Sequence, residues 1–252
     1  MDETSGEIWV CHLSTVPYRE AVAMQASLRA RRLAGELPDV LLMLEHPPTY
    51  TRGRRATAQE LPFPVSFYEA KGIELHETDR GGRITYHGPG QLVGYPIMEL
   101  RDVHRHLRRM EEAVIDAIGT AGVRGRSRRD EGIDYTGVWV EDRKIASIGV
   151  HVSRGISTHG FAVNVDNDLE PFSWVVACGL PDVRMTSLAD EAAQAEGIHC
   201  FRKRIAHSFC EAHGRRQRLV SPTRLGIAHL TGPAPAIATP SPASRPGEAV
   251  PA

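Results

Sequence analysis

Cys178, followed by Gly179, and Lys144 are the residues whose types could supply a nucleophile and a group that activates it. The thiolate is the nucleophilic form of cysteine. A free thiol ionises near pH ~8.5 and a lysine near ~10.4, so an ammonium held beside the sulfur favours the reactive form. Lys144 is one of three lysines, with Lys71 and Lys203, against 27 arginines. Where charge alone is needed this chain uses arginine, so a retained lysine points to an amine that can give up a proton. On local sequence Cys178 fits a small buried packing residue equally well. A histidine-assisted thiol is a further option, with His87, His151 or His159 as base, and spacing does not choose among them.

Such chemistry needs a wall to hold its substrate. Residues 80–96 read Arg-Gly-Gly-Arg-Ile-Thr-Tyr-His-Gly-Pro-Gly-Gln-Leu-Val-Gly-Tyr-Pro, with glycines at 81, 82, 88, 90 and 94. Glycines on either side of a short alternating strand, residues 83–86, let the main chain approach a ligand closely. Arg80, Tyr86, His87 and Gln91 place polar groups at its edges. A phosphate loop is excluded because Gly-x-x-x-x-Gly-Lys-Ser/Thr is absent. Gly88, Gly90 and Gly94 miss the dinucleotide spacing by one residue, and a strand follows them. A glycine-rich hairpin without ligand is the bland alternative.

The elements that must position these residues follow from periodicity. Strands are expected at 8–13, 40–44, 73–78, 92–98 and 159–165. Residues 137–152 read as a hairpin turning at 141–143, with Lys144 just past the turn. A helix opens at Pro17 and runs to about residue 34, capped near Ser14 or Thr15 and ended by Gly35. Between Glu45 and Gly53, Pro47 and Pro48 predict an extended loop from which His46 or Arg52 could reach a ligand. Val103, Leu107, Met110, Val114 and Ile118 step by three and four along a second helix. Its other face is basic: Arg101, His104, Arg105, Arg108 and Arg109. That face reads either as solvated or as a dock for an acidic protein. Ile198, Phe201, Ile205 and Phe209 mark a last helix carrying Cys200 and Cys210. The pattern predicts an α/β (α+β) class, a mixed β-sheet with flanking helices, in one domain over 8–222. Disordered ends are expected at 1–7 and at the Pro/Ala-rich 230–252.

Composition narrows the partners. A net charge of −1 over 252 residues calls for neither nucleic acid nor a membrane surface. No apolar run reaches the ~20 residues of a membrane span and the acidic start is unlike a signal peptide, so a cytoplasmic location is expected. Four cysteines without a CxxC pair fit reduced thiols. Twelve histidines form no zinc motif, so no metal is expected.

Residues 80–91, Glu45-His46-Pro47-Pro48, Arg143-Lys144-Ile145-Ala146-Ser147-Ile148-Gly149 and Cys178-Gly179 together resemble the lipoyl(octanoyl) transferase family, over about residues 8–215. The resemblance implies the catalytic-domain fold shared with lipoate and biotin protein ligases. It implies transfer of an octanoyl group from acyl carrier protein to a lysine of lipoyl domains, those of 2-oxoacid dehydrogenase E2 subunits and the glycine cleavage H protein. Cys178 is then the acyl-thioester nucleophile. Lys144 favours its thiolate and relays protons. Arg80, Gly81, Gly82, Arg83, Ile84, Thr85, Tyr86 and His87 line the acyl and thioester pocket. Ser147, Ile148 and Gly149, with Gly160, Phe161 and Ala162, supply backbone contacts. No ATP, metal or other cofactor is implied, because a thioester is already activated, and a monomer is expected. The chain departs from the family pattern at Ala177, where proline is commoner, and at Arg83, where glutamine is. The rival is an ATP-dependent lipoate-protein ligase, which needs no nucleophilic cysteine and tends to carry His-Asp-x-Gly-Asn where this chain has His87-Gly88-Pro89-Gly90-Gln91. A faint likeness of residues 52–55 to a basic loop of biotin ligases adds little. A non-catalytic acyl- or carrier-binding protein of the same fold stands third.

Overall fold

Strand β2 (Asp39–Glu45) is apolar along most of its length and buried at all but its last residue, because it lies between two other strands with helices on both faces. In the computed structural model, which describes residues 6–180, 182–194 and 197–230, β1 (Glu7–Thr15) pairs with β2 in parallel and β6 (Gln91–Ile97) antiparallel. The sheet continues through β10 (Ile156–Asn164), β9 (Arg143–Ser153), β8 (Gly137–Val140) and the two-residue β7 (Arg126–Ser127). On its other edge β12 (Arg216–Leu219) pairs with β1, and β11 (Arg184–Met185) pairs with β9. A smaller sheet holds β3 (Thr49–Arg52) between β4 (Glu74–Glu77) and β5 (Ile84–His87).

Helix α1 (Tyr18–Leu33) covers one face of the large sheet and buries Ala21, Met24 and Leu28 against Leu42, Leu44 and Ala162. Helices α3 (Val103–Gly119) and α5 (Ile198–Ala212) pack on the other face, where Met110, Val114 and Ile118 meet Phe201, Ile205 and Phe209. Each of these side chains contributes about 1.5–3 kcal/mol on burial. Two short helices, α2 (Val65–Ala70) and α4 (Leu188–Glu191), support loops. The mixed α/β architecture read from the pattern is thus the one observed.

Four expectations change. The loop expected at 45–53 contains β3. Pro47 and Pro48 stop before the ladder begins, so no proline nitrogen faces a partner, and Thr49 to Arg52 pair with both neighbours. Neither Ser14 nor Thr15 caps α1. Its N-cap is Pro17, with no side-chain bond. The domain does not end at 222, since Leu225 and Ile227 are fully buried against the α1 layer. Glu7, expected in a disordered end, already belongs to β1 and pairs with Arg216. The remaining residues of both expected disordered ends fall mostly outside the described ones. No helix among the described residues is long and apolar enough to cross a membrane.

Buried histidines are part of this core. His46 is fully buried, its Nδ1 2.6 Å from Val16 O and its Nε2 2.6 Å from Tyr95 OH, and burial pulls its pKa down to about 4. His213 donates through Nδ1 to Phe209 O at 2.8 Å, so its Nε2 accepts from His106 Nδ1 at 3.1 Å. Burial lowers these two to about 4 and about 3. A histidine whose pKa is lower in the fold than in the unfolded chain, near ~6.5, favours unfolding as it is forced to bind a proton. Stability is therefore expected to be full above pH ~6.5 and to fall as pH drops toward 4, each such group adding on the order of 1 kcal/mol per pH unit. Urea midpoints at pH 7 and pH 5 measure this. His106→Gln should flatten the slope, and a midpoint independent of pH over that window would refute it.

Candidate active site

Lys144 and Cys178 are 34 residues apart in sequence, and Lys144 Nζ lies 3.2 Å from Cys178 Sγ. Lys144 is 2% exposed. No carboxylate among the described residues pairs with it. Its other near neighbour is the Trp139 ring, with Nζ 5.2 Å from the centroid. A buried ammonium is costly unless an anion accompanies it. Among the described residues, Cys178 Sγ is the side-chain atom within hydrogen-bond reach of Lys144 Nζ.

The local backbone explains how both side chains arrive. A register shift in the β8–β9 ladder pairs Val138 with Ala146 but Trp139 with Lys144, so one extra residue bulges from β9. Residues 144 and 147 would point to opposite faces of a regular strand. With the bulge between them, Lys144 Nζ and Ser147 Oγ both face Cys178 Sγ, the latter at 3.9 Å. Cys178 itself sits in a tight turn with φ 57° and ψ 11°, a left-handed conformation that costs a non-glycine residue about 1 kcal/mol or more. Gly179 continues the turn at φ 70°. The turn is held by Val176 N–H donating to Glu60 O at 3.0 Å and Leu180 N–H to Ala177 O at 3.1 Å. Ala177, where the family pattern favours proline, is 3% exposed and packs against the small sheet.

Cys178 opens on a cavity of about 570 Å³, of the size that takes a small ligand. Arg80, Gly81, Gly82, Arg83, Ile84, Thr85 and His87 line it, as do residues 147–149 and 160–162. Tyr86 does not line it. Its side chain turns to the opposite side of β5 and packs on Tyr50 and Phe172, as strand alternation requires between Thr85 and His87. Gly149 is needed for closeness: a Cβ there would lie 2.8 Å from Gly81 O, so any side chain would push the two walls apart. The apolar part of the wall includes Val93, Val103, Leu107 and Val150, which the sequence reading did not assign to the site. Val103 and Leu107 showed only as helical periodicity, and nothing separated their turn of α3 from the closed core.

Among the described residues, the polar part holds one acid, Asp134. Arg80 is 9% exposed and donates to neutral oxygens: Thr51 O at 2.7 Å, Thr51 Oγ1 at 2.8 Å and Gly81 O at 3.0 Å. Burial works against its charge and lowers its pKa. His87 donates through Nδ1 to Gln91 Oε1 at 2.7 Å, and burial holds its pKa well below the usual histidine value, so it is neutral. His151 and His159 both face Asp79. No histidine is bonded to Cys178, which replaces the histidine-assisted option by the lysine. Arg83 binds Glu60 at 2.8 Å and approaches Asp134 Oδ1 at 3.4 Å, while its aliphatic part lies across Gly179. Tyr18 OH and Thr85 Oγ1 are buried against the cavity with no partner among the described residues. His46 and Arg52 are absent from the wall: His46 is locked in the core and Arg52 pairs with Glu77. Arg101, Arg105 and Arg109 line a separate polar cleft beside α3, whereas His104, on the same helix turn, reaches the cavity. Among the described residues no group of three or more His, Cys, Asp or Glu is placed to hold a metal ion.

A thiol, an amine within hydrogen-bond reach and a largely apolar cavity together suit acyl transfer through a thioester. Comparison with known proteins agrees in kind. Residues 17–210 match the lipoyl protein ligase A/B catalytic domain. A protein of Rubrobacter xylanophilus named octanoyltransferase is 45% identical over 202 residues, covering 79% of this chain and 90% of that protein. One of Mycobacterium ulcerans with the same name is 45% identical over 215 residues, covering 81% and 87%. Among solved structures, lipoate-protein ligase A bound with ATP superposes with a TM-score of 0.70 at 18% identity, covering 90% of this chain and 92% of that one. A putative lipoate protein ligase from T. acidophilum gives 0.68 at 18%, with the same coverage. At that identity these two speak for the fold alone.

If the ammonium is what sustains the sulfur's reactivity, Lys144→Met should slow alkylation of Cys178 by iodoacetamide at pH 7 about ten-fold or more while the far-UV spectrum is kept. Equal rates in parent and variant would detach the thiol's reactivity from Lys144.

Proposed function

The chain belongs to the lipoyl protein ligase A/B catalytic-domain family, and on that premise we propose that it is an octanoyltransferase of protein lipoylation working through a Cys178 thioester. The observation that carries the reading is the 3.2 Å contact between Lys144 Nζ and Cys178 Sγ at the floor of an acyl-sized cavity. A ligase that activates a free acid has no use for that sulfur.

The steps balance on these two side chains. Cys178 thiolate attacks the carbonyl of octanoyl-acyl carrier protein, and the carbon–sulfur bond to the carrier breaks. The carrier leaves as a thiolate and takes a proton from the Lys144 ammonium. The lysine of a lipoyl domain then attacks the octanoyl-Cys178 carbonyl, its surplus proton passes to the now neutral Lys144, and Cys178 returns to thiolate. The product is an amide. A thioester is already activated, so neither ATP nor a metal enters the cycle. The octanoyl chain gains about 0.8 kcal/mol for each methylene buried along Val93, Leu107, Ile148 and Phe161. The backbone N–H groups of Gly82 and Cys178 are the candidates to stabilise charge on the carbonyl oxygen, since those of Gly81 and Gly179 donate to Val150 O and Val176 O. The acceptor proteins are lipoyl domains such as those of E2 subunits and the H protein, the setting is cytoplasmic, and the enzyme acts as a monomer.

Intact mass after mixing the protein with octanoyl-carrier protein, without ATP, tests the mechanism. The expected result is one octanoyl adduct on the parent, none on Cys178→Ala, lost to hydroxylamine and discharged by a lipoyl domain. Labelling of the domain only with octanoate and ATP would instead make the protein a ligase. The basic turns of α3 beside the cavity are the proposed dock for the acidic carrier. Charge reversal at Arg101, Arg105 and Arg108 should slow acyl-enzyme formation at low salt, with the difference shrinking as salt rises. Unchanged kinetics at low salt would move the dock elsewhere.

A further inference from the structure

One residue of β10 departs from strand geometry. His159 has φ 57°, a conformation that histidine adopts at a cost of roughly 1–3 kcal/mol and that persists only where surrounding contacts impose it. Two contacts do so. Its backbone N–H donates to Gln25 Oε1 of α1 at 2.6 Å, and its Nε2–H donates to Asp79 Oδ1 at 2.7 Å. The other carboxylate oxygen of Asp79 faces His151 Nε2 of β9 at 3.5 Å. His159 is 5% exposed, whereas Asp79 is open to solvent on one side. Burial works to raise the Asp79 pKa, but the His159 hydrogen bond, the charges of His159 and His151 and a backbone hydrogen bond together outweigh it, and the carboxyl stays below its ordinary range.

Asp79 immediately precedes Arg80, Gly81 and Gly82, which form one wall of the cavity, while β9 and β10 carry the facing residues 147–149 and 160–162. Few other bonds hold that loop to the large sheet. Gly81 N–H donates to Val150 O at 2.9 Å; Arg54 N–H and Arg55 N–H bind Arg80 O and Gly82 O from the other side. We propose that Asp79 and His159 form a positioning clamp that fixes the Arg80–Gly82 wall against β9 and β10, so that the acyl carbonyl is held where Cys178 attacks. Neither residue is assigned to contact the reacting atoms. The strained backbone at 159 serves to aim the imidazole at Asp79, and Gln25 takes up the N–H that the strain displaces.

The inference rests on the octanoyl-transfer reading, and the experiment separates the two. Asp79→Asn keeps the size of a half-open side chain but cannot accept from both histidines. His159→Asn tolerates the left-handed backbone but is too short to reach residue 79. Each variant should form octanoyl-enzyme about ten-fold more slowly than the parent, and the double variant no more slowly than either single, because the pair acts as one unit. Alkylation of Cys178 by iodoacetamide should stay within about two-fold of the parent, since the thiol's own partners are untouched. The Gly81 and Gly82 amides should exchange hydrogen about ten-fold faster in Asp79→Asn, a readout that needs no acyl chemistry. Parent-like acylation in both singles, multiplication of their effects in the double, or alkylation falling in step would overturn the clamp. A parent that takes no octanoyl group would sink the transfer reading alone, and unchanged exchange at Gly81 and Gly82 would then sink the clamp as well.

Discussion

The interaction on which the site depends is the 3.2 Å contact between the buried Lys144 Nζ and Cys178 Sγ. Lys144 is surrounded by β8, β9 and the Trp139 ring, and no described carboxylate neutralises it. A buried charge without a partner costs several kcal/mol, which is why the approach of Lys144 Nζ to Cys178 Sγ matters to the site. An arginine in that place could not give up a proton near neutral pH, whereas a lysine amine can.

Two irregularities of backbone bring that contact about, and a third lies beside the wall of the cavity. The bulge in β9 brings Lys144 and Ser147 to one side. The left-handed turn at Cys178 lifts the thiol from its loop. The positive φ of His159 directs an imidazole toward the neck of the glycine-rich wall. Each is costly in isolation and each is tied down by bonds to a neighbouring element. The regular parts of the fold, the buried β2 and the helices α1, α3 and α5, supply the stability that these local costs draw on.

The cavity combines an apolar slot with buried cations, and its described lining includes one acid, Asp134, which pairs with Arg55 and Arg83. Val93, Leu107 and Phe161 suit a hydrocarbon chain, whereas Arg80, Lys144, Tyr18 OH and Thr85 Oγ1 suit the polar head of a thioester. Neutral His87 adds no charge. That division would suit the proposed acyl substrate, an apolar tail with one polar carbonyl.

Much of this was legible in the linear chain. Apolar periodicity located the central strands and the long helices, because period 2 and period 3.6 reflect which side chains face a core. The glycine block, Lys144 and Cys178 stood out by residue type. Other features depend on which elements meet. Proline content at 47–48 concealed β3, since a strand beginning one residue later is invisible to a local rule. Tyr86 resembled its neighbours in the block, and only its place on the far side of β5 removed it from the cavity. Val103 and Leu107 carried a core signature, and the cavity beside their turn made them lining residues. His159 looked like a candidate base until Asp79, 80 residues away, proved to be its partner. The sequence by itself determined the chemical inventory, a nucleophile, a rare amine and a flexible wall, because these are properties of residue types. Only the tertiary structure decided that the amine lies 3.2 Å from the sulfur and that lysine rather than histidine is its partner. Distances between residues far apart in sequence are set by strand register, a bulge and helix packing, which no local pattern encodes.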